Sequence, residues 1–356
     1  MKMRLTEVRR KIDRIDAKIV DLLNRRAKTT LEIRKIKKRL KLDVYTPHRE
    51  KEIYENVLKQ NKGPLSDQSL RAIYREIMSG SLSLERPTKV TYLGPPLTFT
   101  HLAALSKFGS SVDYVECSGI GEVFTEVEKG RADYGVAPIE NSIEGAVNYT
   151  FDMFVDSNLK ICSEIYLEIS HNLLGKVRDL KRIKKVYSHP QVFAQCRRWI
   201  EKNIPMAELV EVSSTTKAAQ LSSKGKDTAC IASLLAAKKY GLRILESGIE
   251  DTAHNVTRFL VIGTSLAEPT GNDKTSIMFS IKDRVGALHD MLVPFKKNGI
   301  TLTKIESRPS RLKAWEYYFF VDLEGHYKDA KTKKALSELE KGCTYIKVLG
   351  SYPVGK

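Results

Sequence analysis

Residues 132–147 read ADYGVAPIENSIEGAV, an apolar run that ends in the polar side chains of Glu140, Asn141 and Ser142. A short apolar run of this kind is typical of a buried β-strand. Comparable runs recur at VTYLG, VYSHP, ACIAS and FLVIG, and helical patterns lie between them. This alternation predicts an α/β fold for residues 89–267.

An all-helical segment precedes the α/β region. Apolar residues spaced three and four apart over residues 5–41 predict one very long helix with Thr6 as its cap. A break at 43–47 and a later turn predict two more helices, over about 48–60 and 67–84. Three such helices are too thin to enclose a core, so we expect an intertwined homodimer.

The last part of the chain has a third organisation. Residues 268–274, EPTGNDK, have the composition of a linker, and the patterns after them indicate the order strand, helix, strand, strand, helix, strand. This βαββαβ order is ferredoxin-like. We therefore expect a multidomain chain with domains at residues 1–87, 88–267 and 272–356.

The charge distribution narrows the class of partner. The formal net charge is +17, and residues 1–87 hold 23 Lys and Arg against 12 Asp and Glu. Such an excess fits either nucleic acid or a small polyanionic substrate. Aromatic side chains are not interleaved with these cations, which favours the small substrate over nucleic acid.

The sequence does not indicate a metal site or a membrane segment. The five cysteines are dispersed without a CxxC pair and the histidines form no HExxH motif, so we expect no metal and no cofactor. No run of about 18 apolar residues exists, and the charged N-terminus MKMRLTEVRRKID lacks the apolar core of a signal peptide. A cytoplasmic protein without membrane contact is the expectation.

Two cations interrupt the apolar face of the long helix. Arg26 and Lys37 are eleven residues apart, close to three turns, so they share the face that the pattern reserves for apolar side chains. Both could extend to solvent or pair with Glu50 or Glu52. Because Arg9 lies near the same face, we favour a dicarboxylate ligand, which Arg and Lys bind in complementary ways.

The order of these residues resembles the all-helical chorismate mutase domain. The matching positions are Arg9, Arg26, Lys37, Arg49, Glu50, Ser81 and Glu85. The resemblance implies a dimer with two sites, where chorismate rearranges to prephenate through positioning and electrostatics. It also implies that Arg26 and the other chain's Arg9 clamp carboxylates. Lys37 would then donate to the ether oxygen, and Glu50 would orient the ring hydroxyl.

Two positions depart from the pattern of that family. Thr46 stands where some members have an acid, and Glu85 stands where others have glutamine. A glutamate that faces an ether oxygen donates a hydrogen bond only when it is protonated. The sequence therefore predicts a mutase activity that rises toward mildly acidic pH.

In the α/β region, polar side chains collect at the ends of three predicted strands. They are Glu140, Asn141, Ser142, Ser188, His189, Gln195, Asn255, Thr257 and Arg258. Ligands of open α/β sheets gather at strand ends. Each position alone is equally well explained by a turn or a cap, and the Ser-His pair has no identifiable partner acid for a catalytic triad.

Together these stretches resemble the prephenate dehydratase domain. The motifs are YLGPxxTFTH, PIENSxEG, YSHPQxxxQC, a Ser-Ser-Thr stretch and NxTRF, and they span essentially the whole region. The resemblance implies two α/β lobes with a cleft between them, as in periplasmic binding proteins. It implies Thr257 as the key hydroxyl for dehydration. Residues implied to line the cleft are Glu140, Asn141, Ser188 and Gln195, and those implied to bind substrate are Thr98, Thr100, Ser142, Ser214, Thr215, Asn255, Arg258 and Phe259.

The first of these motifs departs from the family. Pro96-Leu97 replaces the usual Glu-Gly. A glycine would allow positive φ, which leucine does not adopt easily. We therefore expect a stiffer loop that still presents Thr98 and Thr100 to the substrate carboxylate.

The C-terminal region resembles an ACT domain that senses phenylalanine. VGAL follows the first strand of this region and ESRP lies further along, each a turn or a loop if taken alone. A glycine at a helix start exposes amide donors for an amino-acid carboxylate. The resemblance implies an L-phenylalanine site at a dimer interface, formed by Gly286, Ala287, Leu288, Glu306, Ser307, Arg308 and Pro309.

All three resemblances follow the order of the bifunctional chorismate mutase and prephenate dehydratase family. They imply conversion of chorismate to prephenate and of prephenate to phenylpyruvate, with feedback inhibition by L-phenylalanine. Two alternatives stay open. The dehydratase could prefer arogenate, or the chain could be a non-catalytic sensor whose basic N-terminus binds nucleic acid.

Overall fold

The structure is a computed structural model that describes residues 2–40, 45–310 and 316–355. These residues form two compact units. The helical unit comprises the chain up to Lys89 together with Phe108–Asp113, and the second unit comprises Val90–Lys107 and the chain from Tyr114 onward. Residues 41–44, which include Asp43 and Val44 of the predicted break at 43–47, lie outside the described residues.

The helical unit contains the three predicted helices, α1 (Lys2–Leu40), α2 (Pro47–Gln60) and α3 (Asp67–Glu85). The prediction of Thr6 as a cap is wrong, because α1 already begins at Lys2. The cap of α3 is Ser66, whose Oγ accepts a hydrogen bond from the backbone N–H of Ser69 at 3.1 Å.

The apolar stripe of α1 is exposed within this unit. Ile12, Ile15, Ile19 and Leu22 are 48–58% exposed. An apolar stripe of this length in water is costly, and contiguous exposed apolar surface is characteristic of an interaction face.

The second unit begins with a lobe whose strands and helices alternate as predicted. In chain order they are β1 (Lys89–Leu93), α4 (Phe99–Phe108), β2 (Asp113–Cys117), α5 (Ile120–Glu128), β3 (Tyr134–Asn141), β4 (Gly145–Ala146), α6 (Asn148–Asp156) and β5 (Lys160–Glu168). Strand β3 is the run quoted at the outset, and its apolar part is buried because α5 and α6 pack on the sheet.

A second lobe follows, built on a separate five-stranded sheet. Its elements are β6 (Asn172–Gly175), a 3-10 helix (Leu180–Arg182), β7 (Lys185–Ser188), α7 (Pro190–Gln195), α8 (Arg197–Asn203), β8 (Glu208–Glu211), α9 (Thr215–Ser222), β9 (Thr228–Ala232), α10 (Leu234–Tyr240) and β10 (Arg243–Glu246). The strand order is β10-β6-β9-β7-β8. The chain then returns to the first lobe as β11 (Val256–Gly263), between β3 and β5.

The C-terminal domain has the predicted βαββαβ order. It contains β12 (Asp273–Ser280), α11 (Ala287–Lys297), β13 (Leu302–Pro309), β14 (Tyr317–Glu324), α12 (Ala330–Glu340) and β15 (Tyr345–Pro353). The predicted linker at 268–274 is shorter than expected, because β12 begins at Asp273.

The C-terminal strands continue the sheet of the first lobe. The order is β13-β14-β12-β15-β5-β11-β3-β1-β2, and β4 pairs with β3. The junction is the pairing of Gly350 with Ile161, where a side chain on Gly350 would meet the Ile161 carbonyl oxygen at 2.3 Å. Glycine therefore allows the close approach that joins the two parts of the sheet.

Two chain crossings connect the lobes, from β5 to β6 and from β10 back to β11. They are hydrogen-bonded to each other, since the backbone N–H of Ile169 donates to Asn255 O at 2.7 Å and that of Ile249 donates to His171 O at 3.0 Å. The hinge of the two lobes is thus a paired structure that contains His171 and Asn255.

Candidate active sites

In the helical unit, four predicted residues make contacts between α1 and α3. Arg26 Nη1 donates to Ser81 Oγ, and Lys37 Nζ lies 3.5 Å from Glu85 Oε2. Lys37 also donates to Thr46 Oγ1 at 3.4 Å. Ser81 and Glu85 are one turn apart on α3, so the two cations of α1 meet adjacent positions of one helix face.

Burial changes the protonation behaviour of this group. Glu85 is 7% exposed, and burial raises the pKa of its carboxyl although the Lys37 charge opposes the change. Burial also lowers the pKa of the Arg26 guanidinium, and the nearby Arg49 charge acts in the same direction. The two cations are suited to a dicarboxylate ligand, and a carboxyl with a raised pKa takes up a proton more readily than an exposed glutamate.

The other predicted mutase residues lie further out. Glu50 Oε2 accepts a hydrogen bond from the Tyr45 hydroxyl at 2.8 Å, a contact that sequence reasoning missed. Arg49 pairs with Glu52 at 2.8 Å on an exposed face of α2. Arg9 lies on the exposed N-terminal part of α1, away from the contacts of Arg26 and Lys37 along the helix.

In the second unit, Thr257 lies in a network of side-chain amides at the strand ends. Asn141 Nδ2 donates to Thr257 Oγ1 at 2.8 Å and to Asn255 Oδ1 at 2.7 Å. Asn141 Oδ1 accepts from the backbone N–H groups of Ile143 and Glu144, which fixes the orientation of the amide. The Thr257 oxygen is therefore an acceptor here, and its hydrogen is left to donate elsewhere.

The network continues across the hinge to the second lobe. Gln195 Oε1 lies 3.3 Å from Asn255 Nδ2 and 2.6 Å from His171 Nε2. Gln195 Nε2 donates to Glu144 Oε1 at 2.6 Å, and Gln191 donates to the other oxygen of Glu144. We call Asn141, Asn255, Thr257 and Gln195 the amide network.

Sequence reasoning identified all four members of the amide network but missed two residues that contact it. Glu144 lies inside the quoted PIENSxEG motif, so the signal was present. His171 carried no such signal, because it is a single histidine between two strands.

Several predicted site residues make local structural contacts. Ser188 and Phe259 are buried, and Ser188 Oγ donates to a backbone carbonyl at 2.9 Å. Ser142 Oγ accepts from a backbone N–H of β11 at 2.9 Å. Ser214 Oγ caps α9, whose first residue is Thr215.

The loop after β1 bridges the lobes in an unexpected conformation. Leu97 has φ 71, so the expectation that leucine avoids this region is wrong here. Its N–H donates to His101 Nδ1 at 3.0 Å, and its side chain packs on an apolar cluster of the second lobe. Thr216 Oγ1 donates to Pro96 O, and Ser233 Oγ donates to Leu97 O at 2.8 Å. These contacts offset a backbone strain of order 1 kcal/mol.

The two threonines of this loop differ in exposure. Thr98 is partly exposed, and its hydroxyl donates to Leu93 O at 3.3 Å. Thr100 is 6% exposed, inside the first turn of α4. Only Thr98 is therefore placed to reach a ligand without a rearrangement.

Arg258 and Glu140 do not join the amide network. Arg258 is 3% exposed, and its guanidinium donates to Glu164 at 2.8 Å, Asp322 at 2.6 Å and Glu140 at 2.9 Å. Burial alone would raise the pKa of Glu140, but hydrogen bonds from Lys304 and Arg258 outweigh it and lower that pKa.

These side chains connect the first lobe to the C-terminal domain. We call the group the ionic network; its members are Glu140, Glu164, Arg258, Lys274, Lys304 and Asp322. Asp322, Lys274 and Lys304 belong to the C-terminal domain. The placement differs from the expectation that Arg258 binds substrate.

The predicted effector residues lie at two places in the C-terminal domain. Gly286 has φ 78 and precedes α11, where Ala287 is buried and Leu288 is exposed. Glu306, Ser307, Arg308 and Pro309 end β13. Arg308 pairs with Asp152 of the first lobe at 3.2 Å, which leaves its guanidinium engaged between domains.

Across residues 2–40, 45–310 and 316–355, no group of three or more His, Cys, Asp or Glu side chains is arranged to hold a metal ion. No helix in those ranges is long and apolar enough to cross a membrane.

Three family models match successive parts of the chain. They are Chorismate mutase type II over residues 8–86, Prephenate dehydratase over residues 90–266, and ACT domain over residues 275–341. A bifunctional chorismate mutase/prephenate dehydratase from Aquifex aeolicus (strain VF5) is 51% identical over 353 residues, which cover 98% of each chain.

Solved structures match the second unit. The prephenate dehydratase from Arthrobacter aurescens, in complex with L-Phe, is 33% identical with a TM-score of 0.69 and covers 75% of this chain and 90% of that chain. The prephenate dehydratase from Staphylococcus aureus subsp. aureus Mu50 is 30% identical with a TM-score of 0.67 and covers 74% and 100%, respectively.

Proposed function

The chain belongs to the family of bifunctional chorismate mutase/prephenate dehydratases, and we propose which of its residues carry the two activities. The helical unit rearranges chorismate to prephenate. The two lobes of the second unit convert prephenate to phenylpyruvate, water and carbon dioxide. The observation that carries the second assignment is the Asn141–Thr257 hydrogen bond, in which the Thr257 oxygen accepts and its hydrogen remains to donate.

In the dehydratase, Thr257 donates a hydrogen bond to the ring hydroxyl of prephenate as that group leaves. Departure of the hydroxyl, with a proton from solvent, and loss of the ring carboxylate as carbon dioxide leave an aromatic ring. Aromatisation supplies the driving force, so the protein needs only to polarise the leaving oxygen and orient the ring. The amide network offers donors for the remaining carboxylate without adding a charge.

In the mutase, Arg26 binds a carboxylate while Lys37 and protonated Glu85 donate to the ether oxygen. Transition-state charge on that oxygen is then stabilised by two donors in a partly buried site. The exposed stripe of α1 supports a homodimer, in which a second copy covers Ile12, Ile15 and Ile19 and contributes its Arg9. Sedimentation measurements on the full chain test the dimer, and a location in the cytoplasm stays a prediction.

L-phenylalanine is proposed to bind at Gly286–Leu288 and the end of β13 and to lower dehydratase activity. The Arthrobacter aurescens relative, solved with L-Phe, supports this choice of effector. The same strand carries Lys304, which pairs with Glu140, next to Asn141 of the amide network. Binding of L-phenylalanine at one end of β13 is thereby coupled to the amide network through the adjacent residues Glu140 and Asn141. The coupling is reciprocal, so a ligand at the amide network changes the affinity for L-phenylalanine by the same factor.

One experiment tests the assignment. Purified chain is given chorismate, and prephenate and phenylpyruvate are measured over time with and without L-phenylalanine. We expect both products to form, and we expect prephenate to accumulate when L-phenylalanine is present. Faster turnover of arogenate than of prephenate would favour the arogenate alternative, and binding without turnover would favour a sensor.

A further inference from the structure

His171 lies in the hinge, on the first crossing between the lobes. It is 1% exposed, its backbone N–H donates to Glu250 at 2.9 Å, and its carbonyl accepts from Ile249. The ring stands edge-on to Phe99, with centroids 5.6 Å apart. These contacts fix both the backbone and the ring plane of His171.

The direction of the hydrogen bond between His171 and Gln195 follows from the neighbouring groups. A carboxylate only accepts, so the Gln195 nitrogen faces Glu144 and the Gln195 oxygen faces His171. His171 must therefore donate from Nε2. Its Nδ1 is buried without a hydrogen-bond partner, so a second proton there would be an unsatisfied donor.

The ring is consequently neutral and acts as a fixed donor. Burial lowers the pKa of His171, which agrees with a neutral ring. Its proton holds the Gln195 oxygen in the position where Asn255 Nδ2 also donates. Asn255 Oδ1 in turn accepts from Asn141, the donor to Thr257.

We infer that His171 is a positioning residue for dehydration: together with Glu144, its Nε2–H fixes the Gln195 amide and, through it, the position of Asn255, whose Oδ1 accepts from Asn141, the donor to Thr257. The inference rests on the proposed dehydratase function of Thr257. His171 does not contact substrate in this assignment. It holds the oxygen end of the Gln195 amide, and Glu144 holds the nitrogen end.

The test compares His171→Leu, which removes the donor, with His171→Gln, whose Nε2 can replace it. We expect His171→Leu to lower kcat for prephenate by about tenfold, with a smaller change in KM, because one hydrogen bond that orients the reacting group is lost. His171→Gln restores most of kcat. In the background of Gln195→Leu, the change His171→Leu has little further effect, since both act through one amide.

A matched control separates positioning from stability. His326 is also fully buried, and its Nε2 lies 3.0 Å from Ala267 O, away from the amide network. His326→Leu should lower thermal stability without changing kcat. Equal kcat in wild type and His171→Leu, or additive losses in the double variant, would overturn the inference. A wild-type chain without dehydratase activity would overturn the proposed function instead.

Discussion

Strands β3 and β11 carry two different chemistries on their two faces. Asn141 pairs with Thr257 on one face, where the four members of the amide network are uncharged and Gln195 connects them to the carboxylate of Glu144. Glu140 pairs with Arg258 at the next register position, and these side chains enter the ionic network. Successive residues of a strand point to opposite faces, so a shift of one residue separates the two environments.

The difference between the faces reflects what each must do. A substrate with two carboxylates can accept hydrogen bonds from amides and hydroxyls, which bind it without adding a charge. The ionic network instead depends on mutual pairing, because Arg258 and Glu164 are buried and an unpaired charge there costs several kcal/mol. The two faces also differ in the domains that they connect, since the ionic network includes residues of the C-terminal domain.

The largest effect should come from the uncharged face. Thr257→Ala removes the hydroxyl that polarises the leaving group, so the rate of dehydration should fall by roughly 10²–10⁴-fold. Mutase activity should persist, because it resides in the helical unit. Phenylpyruvate formation from prephenate and consumption of chorismate measure the two separately. Thr257→Ser is the matched control, and equal loss of both activities would contradict separate sites.

Substitutions in the ionic network should lower the free energy of unfolding. Arg258→Met leaves Glu164 and Asp322 as buried carboxylates without their guanidinium, so the free energy of unfolding should fall by about 3–5 kcal/mol. Denaturant titration measures it. Arg197→Met breaks an exposed pair with Glu201 and should cost less than about 1 kcal/mol. A raised KM with unchanged stability would instead assign Arg258 to substrate binding.

A smaller effect is expected on inhibition by L-phenylalanine, which depends on coupling between the two faces. Lys304→Met removes the pair with Glu140 and should raise the L-phenylalanine concentration needed for half-inhibition by about tenfold, within the usual range of coupling energies. Calorimetry should still detect L-phenylalanine binding. The control Lys297→Met changes an exposed lysine of α11. Unchanged inhibition in Lys304→Met would place the coupling elsewhere.

The smallest effect concerns a carboxyl outside both faces. Burial raises the pKa of Glu85, whereas ion pairs lower that of Glu140. Glu85 donates only when protonated, so mutase activity should decline a few-fold as pH rises through this raised pKa. Glu85→Gln donates at every pH and should flatten the profile. Identical profiles for the two proteins would show that Glu85 does not donate.

The comparison also shows what sequence alone could predict. The strand runs and the βαββαβ order predicted the elements, because periodicity depends on local burial. The motifs predicted Asn141, Asn255, Thr257 and Gln195 together. Alternation along β11 would have separated Arg258 from Thr257, but the motif NxTRF suggested one shared site.

The contacts that sequence did not predict join distant segments. His171 and Gln195 are 24 residues apart, and Lys304 and Glu140 are 164 apart. No local pattern encodes such pairs, since each depends on how two lobes or two domains pack. The exposed stripe of α1, by contrast, was predictable because it repeats within a single helix.

The loop after β1 affects the equilibrium between open and closed forms of the cleft between the two lobes. Leu97 is anchored in the first lobe but covers apolar surface of the second. Separating the lobes would return that side chain to water, at a cost of roughly 1–2 kcal/mol. This contact alone would multiply the ratio of closed to open populations by about tenfold. Burial of this leucine would thus favour the closed cleft and oppose the opening that substrate entry and product release require.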